Sequence, residues 1–397
     1  MKRAAILRTA ILVAVIGCAG KDGDEPSWVT IDTLVTGTVV VHNAAGGGWD
    51  SSTAWRLIED LRIGNAAGEG PAGFSDINGL AVDGAGRVYV LVRDAQEVRV
   101  FDSSGTFVRR MGRKGQGPGE LQNATGMGWD PAGRLWVADP ANGGYSVFDT
   151  AGRFIMRRLR SSSFYMAPWP GAFLATGELV DVIGLPGGFP PTFALARYDT
   201  AMVPRDTIPL PQYRGELFTH SSKSAGGVSM MSAGVPFTPS LAWRLDARGF
   251  LWFGITAPYR IYQGRLGGDT VRIVERVYDP IPVTSAERAK SLERFSWFTQ
   301  QGGQIDESRI PARKPAFERF YVDDRGGLWV VPEVAAQDTA GGTPFDVFDG
   351  EGRYLGRLRA PWAVSGSLPP VFRGDRLYVV TTDDDGVPYV VRGRIVR

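Results

Sequence analysis

Hydrophobic positions in this chain fall in short runs separated by turns containing Asp, Gly and Pro. Between Gly112 and Ile155 the order is an apolar run at 127–129, a tight turn Asp130-Pro131-Ala132-Gly133, then Leu135-Trp136-Val137, a run at 145–148, a second turn Asp149-Thr150-Ala151-Gly152, and Phe154-Ile155. Runs this short, rich in β-branched and aromatic residues and bounded by turn formers, predict strands. Asp at the start of each turn and Gly at its end suit the geometry of a tight reversal. Four such strands cannot bury both faces of their sheet alone, so the pattern predicts stacked copies.

The copies are present. Asp83 to Asp130 and Asp102 to Asp149 are both steps of 47 residues, and Gly70-Pro71 falls on Gly117-Pro118 at the same offset. Weaker copies follow at 173–182 with 194–199, at 243–253 with 259–263, at 321–330 with 345–352, and at 371–380 with 389–396. The period lies in the range of propeller blades. From Cys18 onward, less two stretches that do not repeat, the chain has room for a little over six periods. The expected fold is therefore all-β, a six-bladed β-propeller of four-stranded antiparallel blades.

Three motifs carry a family resemblance: Gly115-x-Gly117-Pro118-Gly119-Glu120-Leu121, Asp130-x-x-Gly133-Arg134-Leu135-Trp136-Val137-Ala138-Asp139, and Val147-Phe148-Asp149-x-x-Gly152. Over residues 64–155 the chain resembles NHL-repeat and related six-bladed propellers; the later copies are degenerate. The resemblance implies the fold and says little about activity, because that fold hosts lyases, lactonases, RNA binders and scaffolds.

Residues 1–17 read as an export signal, with Lys2, Arg3 and Arg8 before a short apolar run at 10–16. That run is too short for a membrane helix. Val15-Ile16-Gly17-Cys18 resembles a bacterial lipobox, with an ordinary signal peptide or a signal anchor as alternatives. Cys18 is the only cysteine, so it is the expected lipidation site and no internal disulfide can form. Residues 18–27 suit a flexible tether. Ala19 after the cysteine implies, by resemblance to lipoprotein sorting, outer membrane or periplasm. Partners are then the membrane, through a lipid anchor, and an unidentified small-molecule or protein ligand.

Residues 28–397 are expected to form one domain. Runs at 28–34 and 38–42 read as strands. The run at 55–63 precedes a Gly-Pro loop as residues 107–111 do, and is an outer strand whose own blade is missing there. The last copy lacks its fourth strand, so 55–63 should close the ring by completing it. The two non-repeating stretches are 204–240 and 276–319. The second holds a predicted helix with Thr284 and Glu287 as a capping box. Long excursions inside a compact domain are often functional.

Lys+Arg 44 against Asp+Glu 42 is near balance, which points away from a nucleic-acid partner. The chain has two histidines, His42 and His220, too few for the multi-histidine zinc site of a lyase or a convincing Ser-His-Asp triad. Gly115–Gly119 with Lys114 lacks the ending of a phosphate loop. Tyr89, Trp136, Trp252 and Trp329 each follow an Asp by six residues (Asp83, Asp130, Asp246, Asp323), and one repeat position implies one structural job.

The remaining candidates come from the loops before each first strand and between second and third strands, which share a face in an up-and-down blade. They are Asn78, Asp94, Asn123, Asp139, Asn142 and Glu318, with Arg313 and Lys314 nearby to favour anionic or carbonyl-bearing ligands. The expectation is a non-catalytic binding module without a cofactor, using one mouth of the channel. The alternative is a calcium-dependent lactonase or esterase like gluconolactonase- or paraoxonase-like propellers, in which carboxylates and amides converge on an ion.

Overall fold

A computed structural model describes residues 28–160, 166–187, 192–224 and 227–397. The expected signal, Cys18 and the tether lie outside the described residues.

Six four-stranded antiparallel blades form a ring. Blade 1 is Ile77–Val82, Val88–Val92, Glu97–Phe101 and Phe107–Met111; blade 2 is Gly126–Trp129, Leu135–Asp139, Gly144–Phe148 and Phe154–Leu159. Blade 3 runs from Ala172–Phe173 through Leu179–Gly184 and Phe193–Tyr198 to Pro204–Pro209. Blade 4 is Leu241–Leu245, Phe250–Ile255, Arg260–Arg265 and Thr270–Arg276; blade 5 is Phe317–Val322, Leu328–Pro332, Pro344–Phe348 and Tyr354–Arg359. Blade 6 takes Val371–Arg373, Arg376–Thr382 and Pro388–Val396 from the C-terminus and Arg56–Ile63 from the N-terminus.

The first strand of each blade is innermost, and first strands touch between blades 1 and 2, 2 and 3, 4 and 5, and 6 and 1. The apolar core is accordingly a set of inter-blade layers. Tyr89, Leu91 and Val100 of blade 1 pack on Met127, Leu135 and Val137 of blade 2, for example. The second strands of blades 1, 2 and 5 and the third strands of blades 2 and 5 are buried throughout, which explains their mostly apolar runs. The ring closes as the sequence predicts: Val390 pairs with Ile63 and Ile395 with Leu57.

Three features depart from the sequence reading. Pro204–Pro209 belongs to blade 3 as its outer strand, so the first excursion begins after it. The second excursion likewise starts after Arg276 and ends before Phe317, so Glu318 and Arg319 belong to an inner strand. The N-terminal hairpin, Val29–Thr33 and Val39–Asn43, adds to the outer edge of blade 4 through a parallel pairing of Val39 with Arg272. His42 is clasped there, Nδ1 2.9 Å from Glu275 and Nε2 3.2 Å from Asp32.

Candidate functional site

Chain direction divides the loops between two faces. First-to-second and third-to-fourth turns share one face. The loops before each first strand, and those between second and third strands, share the other. Both excursions are connections before a first strand, into blades 4 and 5, so both rise from this second face. The first forms a hairpin, Leu217–Ser224 with Gly227–Gly234; the second forms helices α1 (Ser285–Glu293) and α2 (Ser296–Gln300). The capping box at the α1 N-terminus is present, Thr284 Oγ1 accepting from Glu287 N at 3.2 Å.

The two excursions fold onto each other into a cap. Phe218, Ala233 and Val235 of the first share an apolar core with Phe295, Phe298 and Ile310 of the second. Arg309 donates from Nη1 to Leu217 O at 3.0 Å and pairs with Glu216. His220 lies in a hairpin strand, opposite Met231, rather than in a loop.

Between the hairpin base and α2 lies a cleft of about 610 Å³, walled by Glu216, Phe237, Thr238, Ser240, Arg294 and Trp297. Trp297 is 44% exposed, and Phe237 holds φ at +58°, the left-handed region that a side chain of its size rarely adopts. The cleft ends at Ser240, where the inner strand of blade 4 begins.

Down that strand, Arg244 meets the inner strand of blade 5. Its guanidinium lies 5.4 Å from the Tyr321 ring centroid. Arg319 Nε donates to the Tyr321 hydroxyl at 2.8 Å, and Arg319 Nη1 is 2.5 Å from Glu318. Arg244 has one hydrogen bond, Nη1 to Trp243 O at 2.8 Å, a buried Nε without an acceptor, and no carboxylate partner among the described residues. Burial holds its pKa below the usual arginine range; the Tyr321 hydroxyl opposes this and the like charge of Arg319 adds to it.

The residues named from sequence divide by environment. Asp139, fully buried, accepts from Gln122 N (3.0 Å), Asn123 N (2.9 Å) and Asn142 Nδ2 (2.6 Å), so it clasps two loops of blade 2 together. Asn142 also reaches Gly115 O and Glu120 O. Asn78 donates to Ala124 O at 2.8 Å across the seam between blades 1 and 2, beside Gln96, which accepts from Ala124 N at 2.9 Å. Asp94 and Asn123 are exposed on the same face. Arg313 is exposed and donates to Pro280 O. Lys314 is buried, 2.5 Å from Glu287 of α1 and 3.9 Å from Glu333, and donates to Val334 O at 2.7 Å. It therefore anchors the cap to blade 5.

Calcium does not fit the set implied for it. The Asp139 carboxylate is taken up by three N–H donors, and the other members are divided between blades 1, 2 and 5. Among the described residues no group of three or more His, Cys, Asp or Glu is gathered as for a metal.

On the opposite face a cleft of about 170 Å³ lies between blades 2 and 3. Its carboxylates, Asp130 and Asp199, are held within their own turns.

Sequence reasoning missed Arg244, Arg319 and Trp297. Two of them were visible in the repeat. Counted back from the turn aspartate, the position two before is Ala81, Gly128, Arg244 and Tyr321 in blades 1, 2, 4 and 5; the position four before is Gly79, Gly126, Ala242 and Arg319. Arg319 stands where the other three carry Gly or Ala, and Arg244 where blades 1 and 2 carry Ala and Gly and blade 5 a tyrosine, so each guanidinium is a local break of the pattern.

No protein-family profile and no curated sequence matches the chain. Solved structures do. A Bacteroides fragilis protein described as a candidate exported protein shares 12% identity at TM-score 0.52, covering 90% of this chain and 100% of that one. Virginiamycin B lyase from Staphylococcus aureus shares 11% identity at TM-score 0.45, over 86% of this chain and 100% of that one. A gluconolactonase from Xanthomonas campestris shares 13% identity at TM-score 0.42, over 86% and 98%. At 12% identity the likeness to the Bacteroides fragilis protein is one of fold alone.

Proposed function

We propose that this protein is an exported, lipid-anchored binding module of the cell envelope that takes its ligand, without catalysis, at the capped mouth of the propeller channel. One observation carries the binding site: two insertions from different blade junctions converge on one face, share one apolar core and wall a cleft containing a half-exposed tryptophan. Building a separate core above the ring adds nothing to ring closure. An open cleft of this size with a few polar groups has the volume of a small-ligand site. The address rests on the sequence of residues 1–18.

The test is a thermal-shift screen of small polar metabolites against wild type and Trp297→Ala. Trp297 is exposed enough that its loss should leave the fold intact. Ligands of the mouth should bind the variant at least about tenfold more weakly, as expected for a tryptophan anchor. Equal shifts for both proteins would overturn the mouth. Turnover of a lactone and ester panel that a chelator abolishes would overturn the non-catalytic reading.

A further inference from the structure

We infer that the channel wall formed by the inner strands of blades 4 and 5 is an oxyanion site, with Arg244 and Arg319 as paired cationic arms around Tyr321 and a carboxylate or phosphate group as the ligand moiety held. This deepens the capped-mouth reading and rests on it for the route by which a ligand arrives. Three independent observations carry it.

The first is charge without compensation. Arg244 and Arg319 both meet Tyr321, one over its ring and one at its hydroxyl. Arg319 has Glu318; among the described residues Arg244 has only a backbone carbonyl, and its buried Nε has no acceptor. Buried donors are almost always satisfied in folded proteins, and an orphan one calls for an explanation, of which a water or an ion is one. The second is position. Arg319 stands where blades 1, 2 and 4 carry Gly79, Gly126 and Ala242, and Arg244 where blades 1 and 2 carry Ala81 and Gly128 and blade 5 carries Tyr321, so packing between blades needs no charge at either position. The third is access. Arg244 and Arg319 are each only partly buried on these inner strands.

Guanidinium forks match the two oxygens of a carboxylate or phosphate, and an anion between two of them would relieve their mutual repulsion. The exposed Glu318 carboxylate now occupies Arg319 Nη1, and an incoming anion would compete with it.

The experiment is a thermal unfolding series on the full chain at constant ionic strength, titrating inorganic phosphate in one arm and succinate in the other. A concentration-dependent rise in midpoint is expected in at least one arm, and which arm responds identifies the group held. Arg244→Met should weaken the apparent affinity tenfold or more. Its own midpoint without anion should be unchanged or higher, because it removes a poorly compensated charge. Arg373→Gln is the control for general charge loss: its Nη2 donates to Val82 O, 2.8 Å away, and its response should remain. No rise in either arm, or equal rises in wild type and Arg244→Met, would overturn the site. The two readings fail separately. A ligand that needs Trp297 but ignores Arg244→Met removes the oxyanion site and keeps the mouth; an Arg244-dependent anion response with no Trp297-dependent ligand does the reverse.

Discussion

Trp136 Nε1 donates to Asp130 Oδ2 at 2.8 Å, six residues back across the first turn of blade 2. The same bond joins Trp252 to Asp246 and Trp329 to Asp323, each at 3.1 Å, and in blade 1 the Tyr89 hydroxyl takes the indole's place on Asp83 at 3.1 Å. In each turn the other carboxylate oxygen accepts the backbone N–H four residues on. One aspartate therefore closes the turn and anchors an aromatic ring that packs in the apolar layers of the blade stack. This explains why the two residue types recur together at fixed spacing. Blade 6 uses the same pair, Tyr389 on Asp383, in a loop on the opposite face.

Tyr89→Phe tests the anchor with little change of volume. It deletes the hydroxyl and leaves Asp83 with Arg87 and its backbone donors. A hydrogen bond to a charged group of this kind is worth about 1.5 kcal/mol or somewhat more. Urea unfolding should show a loss of that order with an unchanged m-value. A difference below about 0.5 kcal/mol would mean that Arg87 and the backbone donors satisfy the carboxylate without the hydroxyl.

How much of this was legible in the sequence depends on where the information lay. The Asp130–Trp136 spacing and the orphan outer strand with Leu57 are local patterns, and they gave blade count and closure. Pro204–Pro209 was hidden because it is an edge strand: its side chains are mostly exposed and its outer backbone edge tolerates proline, so no alternation marks it. The pairing of Val39 with Arg272 joins segments far apart in sequence, and neither carries a sign of its partner. Asp139 read as a site residue because a carboxylate in a mouth loop can face a ligand or its own loop amides. Only the structure shows that it faces the amides. Arg244 and Arg319 were readable as departures from the repeat, but only once the repeat register had been extended to the degenerate blades.

Closure predicts a contrast between neighbours in the N-terminal strand. Leu57 is buried against Ile395 and the layer between blades 5 and 6, whereas Ile58 is 42% exposed. Leu57→Ala should cost about 2–4 kcal/mol and Ile58→Ala less than about 1 kcal/mol by chemical denaturation. Equal losses would mean that the strand is not a wedge in the ring.

The proposed address predicts that Cys18→Ser abolishes lipid attachment, because only a thiol forms the thioether. In a bacterial host fed labelled palmitate, wild type should carry label and the variant none. Label of equal strength on both proteins would sink the lipoprotein proposal, while leaving the propeller and its mouth untouched.

Glu333 predicts the pH dependence of the cap junction. It follows the second strand of blade 5, largely buried, and its pKa is pushed up to about 7 from the ordinary glutamate value. Burial is the main cause, with Glu318 and Glu287 adding to it and Lys314 opposing. Between the unfolded value near 4.5 and about 7 the native state therefore holds a proton that the unfolded chain has released. Stability must fall as pH rises through this window, by at most about 3 kcal/mol if the other groups were silent. Below the window both states are protonated and the penalty is absent; above it the full cost of burying the carboxylate remains. Glu333→Gln removes the titrating group, while Lys314 keeps its ion pair with Glu287 and its bond to Val334 O. Unfolding free energies for wild type and variant, measured side by side from pH 4 to pH 8, should diverge upward through the window, with the variant ahead at pH 8. A difference that stays constant over that range would show that Glu333 titrates as an ordinary surface carboxylate.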